Sequence, residues 1–442
     1  MQRLSKQQLS SWMSSANRKP VILRGARQVG KTYLLKEFGQ AAFPVVHYVN
    51  FEEDPKLARI FEQDLRPGRI VDELRFYLGK PISTTTDLII FDEIQRCPQA
   101  LTALKYFNEE LPEMALCAAG SLLGVCLAPD SFPVGKVSFI DLYPLNFEEF
   151  LKGIGESMLA QTLREVKAST SLPEMAHEKL WELWKHYLVV GGMPEAVNCY
   201  AAGRHASLFD AFTGVRQIQR DLIDTYVNDI AKHSGKTNAL HIERLWRSIP
   251  AQLARMQDGQ SPRFRFKDAI EGISGYQRLS GAIDWLESAG LLLKTFIVER
   301  PNTPLSSQQQ ENRFKLYCHD TGLLGALSGL APEVFVHYGF GSYQGYIAEN
   351  FVAQELVVDG FHPLHSWQGR TSEVEFLLES GGTITPVEVK SGRVTNAKSL
   401  TVYQQKFSPT QAIVLSGKNV WRSASRTGVP VYAAGRLRTI SN

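Results

Sequence analysis

The chain has 442 residues, 44% of them hydrophobic and 21% charged, with a formal charge of only +3. That length exceeds one ordinary core, so about two to four domains are expected. The composition is globular, and it excludes a collagenous or disordered chain. No apolar run reaches the ~18–20 residues of a membrane span, and Met1-Gln2-Arg3-Leu4-Ser5-Lys6 lacks the apolar core of a signal peptide. Five cysteines (Cys97, Cys117, Cys126, Cys199, Cys318) are scattered without a C-x-x-C pair. This argues against a zinc site or a disulfide frame and for a reducing, cytoplasmic location.

Leu4 to Asn17 reads as a short amphipathic helix. The apolar run Val21-Ile22-Leu23 then reads as a buried strand, and Tyr33 to Phe38 as a helix stopped by Gly39. Between them lies Gly25-Ala26-Arg27-Gln28-Val29-Gly30-Lys31-Thr32, which has the form G-x-x-x-x-G-K-T. Strand, glycine loop and helix form a phosphate-binding unit, in which backbone N–H groups and the positive helix end face the anion. Lys31 would reach the β- and γ-phosphates of ATP, and the Thr32 hydroxyl would bind Mg²⁺. Val45 to Phe51 is a second strand, and helical segments run to about Gly79.

Asp87-Leu88-Ile89-Ile90-Phe91-Asp92-Glu93 is an apolar strand ending in two carboxylates, roughly 60 residues after the loop. Asp92 is placed to hold Mg²⁺ through water and Glu93 to polarise the attacking water. Leu116 to Ala119 is the next strand. Ser121, just beyond its tip, is read as a sensor of the γ-phosphate, with capping of a following helix as the alternative. Val137 to Leu142 completes about five parallel strands.

Together "ILRGARQVGKT", "LIIFDEIQ", "AAGSLLG", "FIDLYPLNFEEFL" and "GGMPEAV" resemble the prokaryotic AAA-type ATPases that carry a C-terminal domain of unknown function. The resemblance spans essentially the whole chain. It implies ATP binding and hydrolysis and leaves the biological substrate open.

From Phe147 to His233 the pattern is helical, as in a lid over the nucleotide sheet. Arg216 and Arg220 lie one helical turn apart, and either is a candidate arginine finger. His241 to Met256 and Tyr276 to Ser288 read as helices, and Leu291 to Val298 with Arg313 to Cys318 as two strands. That order resembles a winged helix, a fold that reads DNA or serves as a protein contact.

In the last segment Glu349 lies on an amphipathic helix, and Glu375 and Glu388-x-Lys390 lie on a hairpin. The set resembles the PD-(D/E)XK nuclease core, with Glu375 where Asp is usual. The resemblance implies a second metal site at Glu349, Glu375 and Glu388, with Lys390 beside the water or phosphate. A relic used only for binding is the other reading. From Gly381 onward nine Lys or Arg face the single acid Glu388, a formal +8 against −5 for the rest.

The expected architecture is α/β: a P-loop NTPase core with a parallel sheet (1–145), a helical lid (146–238), a winged-helix-like module (239–332) and a small nuclease-like α/β domain (333–442). The favoured function is an ATP-driven switch or remodeller acting on DNA or RNA through the basic C-terminal region. A signalling or scaffold ATPase with a protein partner and an ATP-regulated nuclease are the alternatives. No membrane contact is expected, and assembly into an oligomer stays open.

Overall fold

The computed structural model describes residues 3–121, 135–257, 263–273, 275–331, 343–393 and 396–441. Apart from Met1, the chain divides into two compact units, residues 2–143 with 288–290, and residues 144–287 with 291–442.

The first unit is built on five strands: β1 (Val21–Arg24), β2 (Val46–Asn50), β3 (Leu88–Asp92), β4 (Ala115–Gly120) and β5 (Ser138–Asp141). Their order is β2-β3-β4-β1-β5, and every neighbouring pair is parallel. β3 and β4 are buried along their whole length. This is why both read as unbroken apolar runs rather than as alternating strands. Helices α1 (Ser5–Met13), α2 (Lys31–Ala42), α3 (Pro67–Leu78) and α4 (Pro98–Glu110) complete the unit. α3 and α4 both start on proline, which is pre-set for the first helical turn. Phe51, Phe61, Phe91 and Phe107 meet edge to face at centroid distances of 5.6–6.4 Å and fill the core between β3 and its helices.

β4 lies between β1 and β3, so the chain order reverses beside the strand that carries the glycine loop. In an open parallel sheet the carboxyl ends of the strands at such a reversal are where ligands bind.

The second unit combines the helices Phe147–Gly153, Ser157–Arg164, Glu174–Val190, Pro194–Gly203, Leu208–Ser234 and Lys236–Gln257 with an eight-stranded mixed sheet. Its strands are β6 (Leu292–Val298), β7 (Phe314–Cys318), β8 (Leu364–Gln368), β9 (Glu373–Ser380), β10 (Thr383–Val389), β11 (Ile413–Ser416), β12 (Trp421–Arg422) and β13 (Thr427–Pro430). The order is β12-β13-β11-β10-β9-β8-β6-β7.

The "YPLNFEEF" motif is explained by packing. Asn146 and Glu149 form a reciprocal capping box, with the Glu149 amide donating to Asn146 Oδ1 at 2.9 Å and the Asn146 amide to Glu149 Oε2 at 3.2 Å. Phe147 and Phe150 then pack on Tyr187 at 5.7 and 5.1 Å. The Phe147 amide donates to the buried Glu355 at 2.8 Å. Gly192 of "GGMPEAV" is needed for close approach, because a Cβ there would lie 2.1 Å from the Leu145 carbonyl oxygen.

The two strands read as a wing form the expected antiparallel pair, Leu292 opposite Cys318. They are not a free wing, however. β6 also runs parallel to β8, with Thr295 opposite Leu364, and β7 is fully buried. A wing is a free-standing hairpin, whereas here the β6–β8 pairing makes the two strands the end of the large sheet, with β7 at its edge. One sheet therefore crosses the 332/333 boundary drawn from the sequence. No described helix is long and apolar enough to cross a membrane. Cys97, Cys117, Cys199 and Cys318 are free thiols, and Cys126 lies outside the described residues.

Candidate nucleotide site

The glycine loop joins β1 to α2 through backbone conformations that ordinary residues avoid. Gly25 has φ +151°, and a Cβ on it would lie 2.1 Å from the Leu142 carbonyl oxygen. Gln28 has φ 63°, and Gly30, which precedes α2, has φ 97°. Left-handed turns of this kind point successive N–H groups into a concavity that suits an anion. The Lys31 ammonium lies inside the loop and donates to the carbonyls of Gly25 and Ala26 at 3.0 and 2.8 Å. Burial lowers its pKa to about 8, against the opposing pull of Glu93 and Asp92. Arg27 faces Glu52 at 3.8 Å, and Arg96 reaches the same carboxylate at 2.6 Å. Val29 is buried and Ala26 nearly so, which anchors the loop from below.

We expect Gly25→Ala to cost about 2–4 kcal/mol, the scale of a buried clash combined with backbone strain. Denaturant unfolding of the variant checks this. Any remaining folded protein should have lost nucleotide affinity, because the clash displaces the loop that carries the amides.

At the carboxyl end of β3 the Asp92 carboxylate accepts from Thr32 Oγ1 and from the Tyr48 hydroxyl, both at 2.7 Å, and from the Glu93 amide at 3.0 Å. The loop hydroxyl and the strand-tip carboxylate are thus in direct contact. Glu93 has φ 50°, a strained value for a residue with a side chain. Its Oε2 accepts from Ser121 Oγ at 3.1 Å and from Gln95 Nε2. Ser121 is buried at the end of β4. Lys31, Thr32, Asp92, Glu93 and Ser121 therefore come together at the carboxyl ends of β1, β3 and β4. The helix that Ser121 was alternatively read to cap falls outside the described residues.

Two members were not read from the sequence. Tyr48 sits in β2, where alternation makes an aromatic look like packing, and the Lys36 ammonium lies 3.5 Å from its ring centroid. Burial raises the phenol's pKa far above its usual value, with the Asp92 hydrogen bond adding to it, so it donates as a neutral hydroxyl. Gln95 carries a weak signal, the amide two places after the Asp-Glu pair.

The arginine-finger candidates fare differently. Arg216 is buried and donates to Gln219 Oε1 at 2.7 Å and the Gly322 carbonyl at 3.2 Å, both within its own unit. It is a structural residue there. Arg220 is exposed.

The C-terminal carboxylates also meet, in an arrangement unlike a metal centre. Glu388 accepts from Lys390 at 2.7 Å, and Glu375 accepts from the Val389 amide at 3.1 Å. Glu349 accepts from the Tyr317 hydroxyl at 3.0 Å and lies 3.6 Å from the Lys315 ammonium, which also pairs with Glu373. Burial, then Glu388 and Glu349, push the Glu375 carboxyl well above the usual carboxylate range. Burial also raises Glu388, against the pull of Lys390. Among the described residues, no three His, Cys, Asp or Glu side chains are placed to hold a metal ion. The metal set expected at Glu349, Glu375 and Glu388 is therefore not found among the described residues: Lys390 pairs with Glu388, Lys315 lies beside Glu349 and the Val389 amide donates to Glu375.

Residues 17–151 match the family model described as an AAA domain, and 181–334 and 344–432 match two models described only as domains of unknown function. No curated protein is significantly similar to the chain. Among solved structures, a Walker-type ATPase of Pyrococcus abyssi is 15% identical, with 73% of this chain and 94% of that one covered at a TM-score of 0.45. The Aeropyrum pernix ORC1 protein in complex with DNA is 15% identical, with 73% and 90% covered at 0.29. The RuvB Holliday junction branch migration motor of Thermotoga maritima is 14% identical, with 69% and 90% covered at 0.30. The first unit has the parallel α/β sheet of a P-loop nucleoside triphosphatase, with the AAA match lying over its glycine loop and Asp-Glu strand.

Proposed function

We propose that the chain is an ATP-hydrolysing switch of the AAA type that acts on nucleic acid through its basic C-terminal region. The observation that carries the hydrolytic part is the contact chain Thr32–Asp92 and Glu93–Ser121 at three neighbouring strand ends. Gly25 to Thr32 would hold the phosphates, with Lys31 on the β- and γ-oxygens. Thr32 and Asp92 would hold Mg²⁺, which supplies neutralisation of charge on those oxygens. Glu93 accepts the proton of the attacking water, and Ser121 and Gln95 fix its carboxylate.

The nucleic-acid part rests on charge, and the structure narrows which charges are available for it. Arg393 reaches Glu178 at 2.5 Å, Arg426 donates to Gln404 at 2.9 Å, and Arg438 stacks over Phe361. Lys398, Lys406 and Arg422 are exposed on the helix Lys398–Phe407 and the edge strand β12, and the Lys406 ammonium lies 5.1 Å from the Phe407 ring centroid. We expect DNA or RNA to bind with an affinity that falls steeply with salt. Replacing these three by Gln should lower the log–log salt slope by about 2–3, close to one unit per lost phosphate contact. ATP turnover with and without DNA or RNA tests the whole reading. Stimulation that disappears in the triple variant supports it. An unchanged rate together with no binding at low salt points to a protein partner.

A further inference from the structure

Lys315 is the most unusual charge in the second unit. It lies on β7 with 3% of its side chain exposed. Burying an ammonium costs several kcal/mol unless it is closely paired. Burial works against its charge, but Glu373, Tyr317 and Glu349 outweigh that and hold it protonated. Around it stand Glu349 from the helix Tyr343–Val358 and Glu373 from β9, with Glu375 two residues further along the same strand and so on the same face. Glu388 on β10 acts electrostatically on Glu375, and its Oε2 is buried without a hydrogen-bond partner. Four carboxylates, one with a buried oxygen that has no hydrogen-bond partner, form a setting that calls for cations, and the cations present are side chains: Lys315 at Glu349 and Glu373, and Lys390 at Glu388.

We propose that Lys315 is the resident cation of this centre: its ammonium takes the charge-balancing place that a divalent ion holds in the nucleases the segment resembles. The C-terminal region then binds no divalent cation at these carboxylates and does no metal-dependent cleavage. Lys315 instead ties β7 to β9 and to the helix that carries Glu349. Taking the lysine away unmasks a divalent-cation site. None of this depends on the ATPase reading, since every residue involved belongs to the second unit.

The test uses Mn²⁺ as the probe on the full chain without nucleotide, read by calorimetry and by melting temperature. The unmodified protein is expected to show no Mn²⁺ response that Glu388→Ala abolishes. Lys315→Met is expected to melt earlier than the unmodified protein and to bind Mn²⁺ at least ~100-fold more tightly, a gain of about 2.7 kcal/mol. Should that variant not fold, Lys315→Met combined with Glu373→Gln removes one charge of each sign and is expected to fold and to take Mn²⁺. Two results would overturn the proposal. One is Mn²⁺ binding by the unmodified protein that Glu388→Ala removes. The other is a folded Lys315 variant with no gain in Mn²⁺ affinity.

Discussion

Glu93→Gln is expected to lower ATP turnover by ~10²–10³ while ATP affinity stays within about threefold, the range for losing a positioned general base. Glutamine keeps the volume of the side chain, and its carbonyl can still accept from Ser121, whose hydroxyl lies 3.1 Å from Glu93 Oε2 in the unmodified protein. What it loses is the capacity to take a proton from water. Because the variant preserves packing, a fall confined to turnover separates a chemical role from a structural one. Phosphate release at saturating ATP, compared with equilibrium binding, provides the two readouts. Normal turnover would make Glu93 a strand-end residue that merely anchors Gln95 and Ser121.

Lys31→Ala is expected to weaken ATP binding by roughly two orders of magnitude or more, since two charge-assisted hydrogen bonds are worth about 3 kcal/mol or more. A second signature follows from its titration. Without nucleotide, burial holds the Lys31 pKa near 8. The unfolded chain binds this proton up to about pH 10.5, so between about pH 8 and 10.5 the folded state carries fewer protons than the unfolded one. In that window the group makes the free protein more stable as pH rises. Phosphates press the other way, because a neighbouring polyanion raises the pKa of an ammonium. Binding above pH 8 should therefore take up a proton, and affinity should fall by up to about tenfold per pH unit. Titrations in buffers of different ionisation enthalpy report the uptake directly, and Lys31→Ala should abolish it.

The legible parts of the molecule were those whose signal is local. Gly25 to Thr32 spells out a backbone path that few sequences can follow. The run from Leu88 to Glu93 is apolar because parallel sheet strands are covered on both faces. Ser121 was read from the pattern of ATPases that carry a polar residue at the tip of the strand between the two motif strands, and β4 does lie between β1 and β3. Tyr48 stayed hidden because its contact with Asp92 spans 44 residues of sequence. Arg216 was singled out because it lies one helical turn from Arg220, yet it is buried and donates to Gln219 and to the distant Gly322.

The C-terminal cluster shows the limit most plainly. Glu349, Glu375, Glu388 and Lys390 were found through their resemblance to a nuclease core, and they do lie in one electrostatic neighbourhood. Lys315 and Glu373 were missed, although their pairing changes the chemistry of the whole group. Lys315 belongs to a strand that local pattern assigned to a separate wing. Only the pairing of β6 with β8 brings that strand into the same sheet. Nothing in the residues from Leu292 to Cys318 announces that long-range contact.

Calorimetric titration of Mg²⁺–ATP into the unmodified chain and into Lys31→Ala at pH 7 tests the central claim most directly. Saturable binding at one site per chain, weakened at least ~100-fold by the substitution, is the expected result. Equal affinity in the two proteins, or no saturable binding to the unmodified one, would contradict the assignment of the Gly25–Thr32 loop as the nucleotide site.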